Sequence, residues 1–107
     1  MNPKFAEAYS NRSVAKSHLG GHKGAIEDCN EAIRLNPKDA GAYINRGRAK
    51  VILGDYKGAI EDSNEAIHLN PKHAEAYINR GTAKGKLGDK AGAKADYEGA
   101  NRLRGHG

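Results

Sequence analysis

The tripeptide Asn-Pro-Lys begins at Asn2, Asn36 and Asn70, a spacing of 34 residues. Three further pairs keep the same step. Ala-Tyr falls at Ala8-Tyr9, Ala42-Tyr43 and Ala76-Tyr77. Asn-Arg falls at Asn11-Arg12, Asn45-Arg46 and Asn79-Arg80, and Leu-Gly at Leu19-Gly20, Leu53-Gly54 and Leu87-Gly88. The first two units agree at roughly two-thirds of their positions, far above chance for a fixed period. A chain built this way repeats one supersecondary unit, and each unit must bury its apolar face against the next.

Each unit reads as two helices. The first runs from Phe5 to Leu19, Asp39 to Leu53 and His73 to Leu87. It opens after a proline, which is tolerated at a helix start, and closes at a glycine, the residue that takes a left-handed cap most cheaply. Asp55 and Asp89 then stand where a side-chain oxygen can cap the second helix, whereas Gly21 has no such oxygen. The second helix carries Ala25, Ile26, Cys29, Ala32 and Ile33 in unit one. Unit two repeats this with Ala59, Ile60, Ser63, Ala66 and Ile67. Offsets of 1, 4, 7 and 8 make one narrow helical stripe. Gly47 and Gly81, with Ser13 in their place in unit one, suggest that a Cβ there obstructs the partner helix, since glycine inside a helix costs up to ~1 kcal/mol relative to alanine. The fold expected is all-α: a solenoid of three helix-turn-helix units and six helices. The units span 2–35, 36–69 and 70–103, with a tail at 104–107.

Composition fits a thin shared core, with 37% hydrophobic and 6% aromatic residues. The single cysteine, Cys29, excludes an internal disulfide and fits a reducing compartment. It aligns with Ser63 and Tyr97 at a core-facing place. No apolar run approaches a membrane span and no signal-peptide pattern opens the chain, so a cytoplasmic protein is the default reading. The net charge of +5 raises the question of nucleic acid. The cations, however, are interleaved with Asp and Glu at several helical phases and form no single run. His18, His22, His68, His73 and His106 lie scattered among turns and helix ends, without metal-ligand spacing. Neither a metal site nor a cofactor is expected, and no catalytic constellation is present.

These residues resemble the tetratricopeptide repeat family over Asn2 to Leu103. Tyr9, Tyr43 and Tyr77 match its early bulky aromatic, and Ser13, Gly47 and Gly81 its small residue four positions on. Ala25, Ala59 and Ala93, then Ala32, Ala66 and Ala100, match its second-helix alanines; Pro37 and Pro71 match its closing proline. The resemblance implies a right-handed α-solenoid. The chain departs from the pattern at Arg12, Arg46 and Arg80, where a leucine is usual, and at Lys16, Lys50 and Lys84, where an aromatic is usual. This Asn-Arg-Gly, Ala-Lys variant is similar to bacterial arrays. The long stems are expected to lie partly buried, with heads reaching Asp28, Asp62 and Asp96.

The resemblance also implies that the first helices line a concave groove that binds a peptide or helix of a partner protein. The lining positions include Ser10, Asn11, Val14 and His18 in unit one. Unit two adds Ile44, Asn45, Arg48 and Ile52, and unit three Ile78, Asn79, Thr82 and Lys86. Asn11, Asn45 and Asn79 form a ladder whose amides either clamp a peptide backbone or bond locally. Val14, Ile44, Val51, Ile52 and Ile78 are expected to be partly exposed, favouring an apolar ligand, with one or two of them belonging instead to the core between repeats. The carboxylate clamp of chaperone-binding members maps onto Ser10, Val14, Asn45, Glu75 and Asn79. Only Asn45 fits, so recognition of acidic chaperone tails is disfavoured unless Arg48 and Lys86 form another anion site. A basic solenoid associating with nucleic acid and a structural or self-assembling spacer are the alternatives.

In unit three, Lys94 and Asn101 replace the isoleucines of the stripe, as in a capping unit. At the other end, the first helix of unit one is expected to show an uncovered face through which copies could self-associate.

Overall fold

A computed structural model of the chain describes residues 3–105; Asn2 of the first tripeptide, and His106 and Gly107 of the tail, lie outside the described residues. Six helices follow one another: α1 Pro3–His18, α2 His22–Leu35, α3 Ala40–Leu53, α4 Tyr56–Leu69, α5 Ala74–Lys86 and α6 Lys90–Leu103. Contacts run α1 to α2, α2 to α3 and onward in chain order, with α1 also touching α3 and α3 touching α5. The outcome is an elongated stack of 40 × 26 × 20 Å.

Helix boundaries follow from local chemistry. Asp39 and His73 are not the first helical residues but N-caps in extended conformation. The Asp39 carboxylate accepts from the Ala42 N–H at 3.3 Å, and that role holds its own backbone outside the helix. At the hairpin turns, Gly20, Gly54 and Gly88 take φ of 86°, 86° and 95°, a region L side chains rarely enter. The next residue's N–H then reaches back to a lysine carbonyl: Gly21 to Lys16 at 2.7 Å, Asp55 to Lys50 and Asp89 to Lys84 at 2.8 Å. Asp55 and Asp89 cap α4 and α6 by accepting from Gly58 and Gly92, while Gly21 gives α2 no side-chain cap.

The core is made of small side chains. Alanines 25, 32, 42, 49, 59, 66, 76, 83, 93 and 100 are all buried, as are Cys29, Ser13 and Ser63. Burial pushes the Cys29 thiol above its ordinary pKa, so it is less prone to ionise. The small-residue positions on the first helices differ among themselves. A Cβ on Gly81 would stand 3.1 Å from Asp96 Cβ and from Tyr97 Cε1. On Gly47 it would meet nothing nearer than 3.5 Å, an ordinary contact. The expected obstruction therefore holds at Gly81 only, and Ser13, whose hydroxyl donates to the Ser10 carbonyl at 2.6 Å, shows that the place tolerates a side chain.

Between the two helices of each pair lies a repeated polar joint. Arg12, Arg46 and Arg80 donate through Nε and Nη2 to both oxygens of Asp28, Asp62 and Asp96, at 2.9 and 2.7 Å in every unit. Lys16, Lys50 and Lys84 close on the same carboxylates at 3.2, 3.1 and 3.3 Å. Each guanidinium also lies over the ring of Tyr9, Tyr43 or Tyr77, 5.2 to 5.4 Å from its centroid. The aspartates are buried, so each ion pair gains where water is scarce and costs desolvation in return. Arg12 and Lys16 together hold the Asp28 carboxyl below its ordinary pKa. At Asp96 burial pushes upward, but Arg80 and Lys84 outweigh it and the net shift is downward.

Candidate functional site

Because α1 touches α3 and α3 touches α5, the three first helices share one face. On it Val14, Asn45, Arg48, Val51, Ile78, Asn79 and Thr82 are half-buried, and Asn11, His18, Ile52 and Lys86 are exposed. Two expected lining residues are not on the open surface. Ile44 is only 4% exposed and belongs to the core with Ala66 and Ala76; Ser10, in the same register of unit one, is 8% exposed. Both are covered by the unit that follows. Ile78, at the third such place, stays half-buried because no described helix pair follows it. Thr82 is tied to α6 through Tyr97, its hydroxyl 2.9 Å from the phenol oxygen.

The asparagine ladder is half engaged. Asn45 Nδ2 donates to Ser10 Oγ at 3.2 Å, and Asn79 Nδ2 donates to the Ile44 carbonyl at 3.2 Å. Each amide thus joins its own first helix to the one before. No described residue donates to Oδ1 of either, so those acceptors remain available. No described first helix precedes α1, and Asn11 is exposed.

At one end of this face an open hollow of about 230 Å³ is lined by Ser17, His18, His22, Arg48 and Ile52. His22 Nδ1 is buried with no hydrogen-bond partner among the described residues. One guanidinium, two imidazoles and a hydroxyl form a lining that favours an acidic or neutral polar group over a cation. Among the described residues, no group of three or more His, Cys, Asp or Glu could hold a metal ion.

The sequence reading missed two residues that act across units. Asn30 Oδ1 accepts from Arg46 Nη1 at 2.8 Å, and Asn64 Oδ1 from Arg80 Nη1 at 2.9 Å. The signal was present: both asparagines recur at the 34-residue step in the exposed part of the second helix. The Tyr-to-Arg spacing of three, which stacks the two side chains on one helix face, was equally legible.

Models of the tetratricopeptide repeat match residues 6–39, 29–61 and 74–105, and a TPR repeat model matches 47–88. The chain belongs to the tetratricopeptide repeat family. Solved TPR domains superimpose on it closely. The Arabidopsis OM64 TPR domain is 29% identical with a TM-score of 0.95, over 100% of this chain and 88% of that one. The second TPR of Spaghetti (RPAP3), bound to the HSP90 peptide SRMEEVD, is 29% identical with a TM-score of 0.91, over 95% and 94%. The TPR2B domain of yeast Sti1, in a complex with pHsp70, is 28% identical with a TM-score of 0.89, over 94% and 80%. A search of curated proteins finds no significant match. No helix among the described residues is long and apolar enough to cross a membrane.

Proposed function

We propose that this TPR domain is a non-catalytic module that holds a peptide or helix of a partner protein on the face formed by α1, α3 and α5. The observation that carries this reading is the half-engaged ladder: Asn45 and Asn79 use their N–H groups on neighbouring helices and leave Oδ1 without a partner among the described residues. Those oxygens can accept from the backbone N–H groups of an extended guest without reading its side chains. Ile52, 54% exposed, and half-buried Val14 and Ile78 favour aliphatic side chains beside them. Related TPR domains bind chaperone peptides, which supports the mode of binding. The anchor differs. At the five clamp positions this chain has Ser10, Val14, Asn45, Glu75 and Asn79, without one cation, and Glu75 is exposed. Its guest is therefore an apolar segment, with any acidic side chain directed to the hollow beside Arg48.

Nucleic acid fits less well, because the cations of the repeated Arg and Lys positions face Asp28, Asp62 and Asp96 inside the joints. The test is selection from a displayed library of random peptides, followed by calorimetry with a selected sequence. Wild-type chain should enrich aliphatic peptides, and Ile52→Glu and Arg48→Glu should each weaken the selected peptide about tenfold or more without unfolding the chain. Binding of SRMEEVD as tight as the selected peptides, or indifference to both substitutions, would refute the proposal.

A further inference from the structure

The junction of units one and two differs in kind from the junction of units two and three. The hollow of about 230 Å³ belongs to the first, lined by Ser17 and His18 of α1, His22 of α2, and Arg48 and Ile52 of α3. Shifted by 34 residues, the same five places hold Val51, Ile52, Tyr56, Thr82 and Lys86. A hydroxyl and two imidazoles thus give way to two aliphatic side chains and a phenol. The place of Arg48 is taken by Thr82, whose hydroxyl is already engaged by Tyr97. The polar lining is specific to this one junction and is not a property of the repeat. Both helix pairs that form it are described. Among the described residues the half-buried arginines are Arg46, Arg48 and Arg80. Arg46 and Arg80 are bound to Asp62 and Asp96. Arg48 has no acceptor among the described residues, and no described acidic residue lines the hollow beside it. A guanidinium partly withdrawn from water without a counter-charge favours an anion brought from outside.

We infer that the hollow is a phosphate pocket, which takes a phosphorylated serine or threonine of the guest peptide and so makes binding depend on modification of the guest; that the guest is a peptide rests on the groove reading. Shape separates phosphate from carboxylate here. The donors converge from three helices, α1, α2 and α3. A carboxylate is planar, and one guanidinium fork satisfies both its oxygens along a single edge. The hydroxyl and imidazoles would then meet no charge. A phosphomonoester carries about −1.5 to −2 of charge at pH 7 and three strong acceptor oxygens, arranged so that they can be met from several directions. Arg48 can hold two of them bidentately. The third is left for the Ser17 hydroxyl and the imidazole N–H groups. Ile52 offers an apolar wall to the carbon that bears the ester. Asn45 and Arg48 are three residues apart on α3 and so share one face of it. The phosphorylated residue therefore lies next to the one whose N–H meets the Asn45 oxygen.

The probe is a peptide selected on the wild-type chain, synthesised with serine, glutamate or phosphoserine at each position in turn and measured by calorimetry at pH 7. At one position phosphoserine should bind about tenfold or more tighter than serine, and clearly tighter than glutamate. Arg48→Gln should erase that gain at an unchanged melting temperature, since Arg48 pairs with no described residue. Ser17→Val and His22→Tyr install the unit-two residues in unit one; both should fold, and each should reduce the gain. Inorganic phosphate alone, at millimolar concentration, should shift the amide resonances around Ser17, His22 and Arg48 and leave those around Thr82 and Lys86 in place. Equal binding of the glutamate and phosphoserine peptides overturns the inference, as does a gain that survives Arg48→Gln. If the serine peptide binds and the phosphate adds nothing, the inference fails while the groove reading stands. If inorganic phosphate shifts the first junction but no phosphopeptide binds, the pocket serves a free phosphate, and the inference falls together with the groove reading.

Discussion

Arg12 and Arg46 make the same bonds to the same kind of carboxylate, yet one side chain is 57% exposed and the other 20%. The residues within each joint are alike; what differs is the neighbour on the N-terminal side. Arg46 also reaches Asn30 on α2 and Asn45 reaches Ser10 on α1, whereas Arg12 and Asn11 have no such helix among the described residues. Arg80 and Asn79 repeat the inner pattern through Asn64 and Ile44. A joint of this kind therefore has two parts. One fastens the pair to itself, and the other fastens it to the pair before.

The largest contrast is expected from removing the carboxylates. Asp62→Ala leaves Arg46 and Lys50 unpaired in a covered site and should cost about 3–5 kcal/mol, measured by urea denaturation. Asp28→Ala should cost clearly less, because Arg12 and Lys16 can turn to water. Equal losses would dissolve the distinction between inner and outer joints. Next come the glycines. Gly47→Ala should stabilise by up to ~1 kcal/mol through helix propensity, while Gly81→Ala should lose that gain or reverse it because of the 3.1 Å approaches. Thermal melts of the two variants decide this.

Acid sharpens the comparison further. Asp28 and Asp96 have pKa values depressed in the folded chain. Their contribution to stability is complete above the unfolded carboxylate value of about 3.9 and is lost as pH falls below it toward the depressed values. Denaturation midpoints should hold steady from pH 7 to about pH 5 on their account and drop below pH 4. Replacing Asp28 by Asn should flatten part of that drop. The smallest effect belongs to the caps. Gly21→Asp should stabilise α2 by a few tenths of a kcal/mol, the amount by which Asp exceeds Gly at an N-cap.

Most of the architecture was legible in the sequence because a fixed period carries its own packing instructions. The helices, their glycine turns, the aspartate caps and the Arg–Asp–Lys joints all follow from residue type and spacing. The site was legible only as a face. The family resemblance placed Ser10 and Ile44 on it, but whether such a residue is open depends on the unit stacked after it, a tertiary fact that one unit's sequence does not contain. The asparagines posed a similar difficulty. Their spacing aligned them, yet only the distance between adjacent first helices decides that the N–H side is engaged and the oxygen left over. Gly47 and Gly81 likewise share a position and differ in what the opposing helix presents, Ser63 against Tyr97.

Native-state amide exchange, residue by residue, tests most directly whether the link to a preceding pair is what separates inner from outer units. Amides of α3 and α4 should exchange only through global unfolding, with α1 opening at distinctly lower free energy and Arg46→Ala bringing α3 toward the behaviour of α1. Protection of α1 equal to that of α3, unchanged by Arg46→Ala, would contradict it.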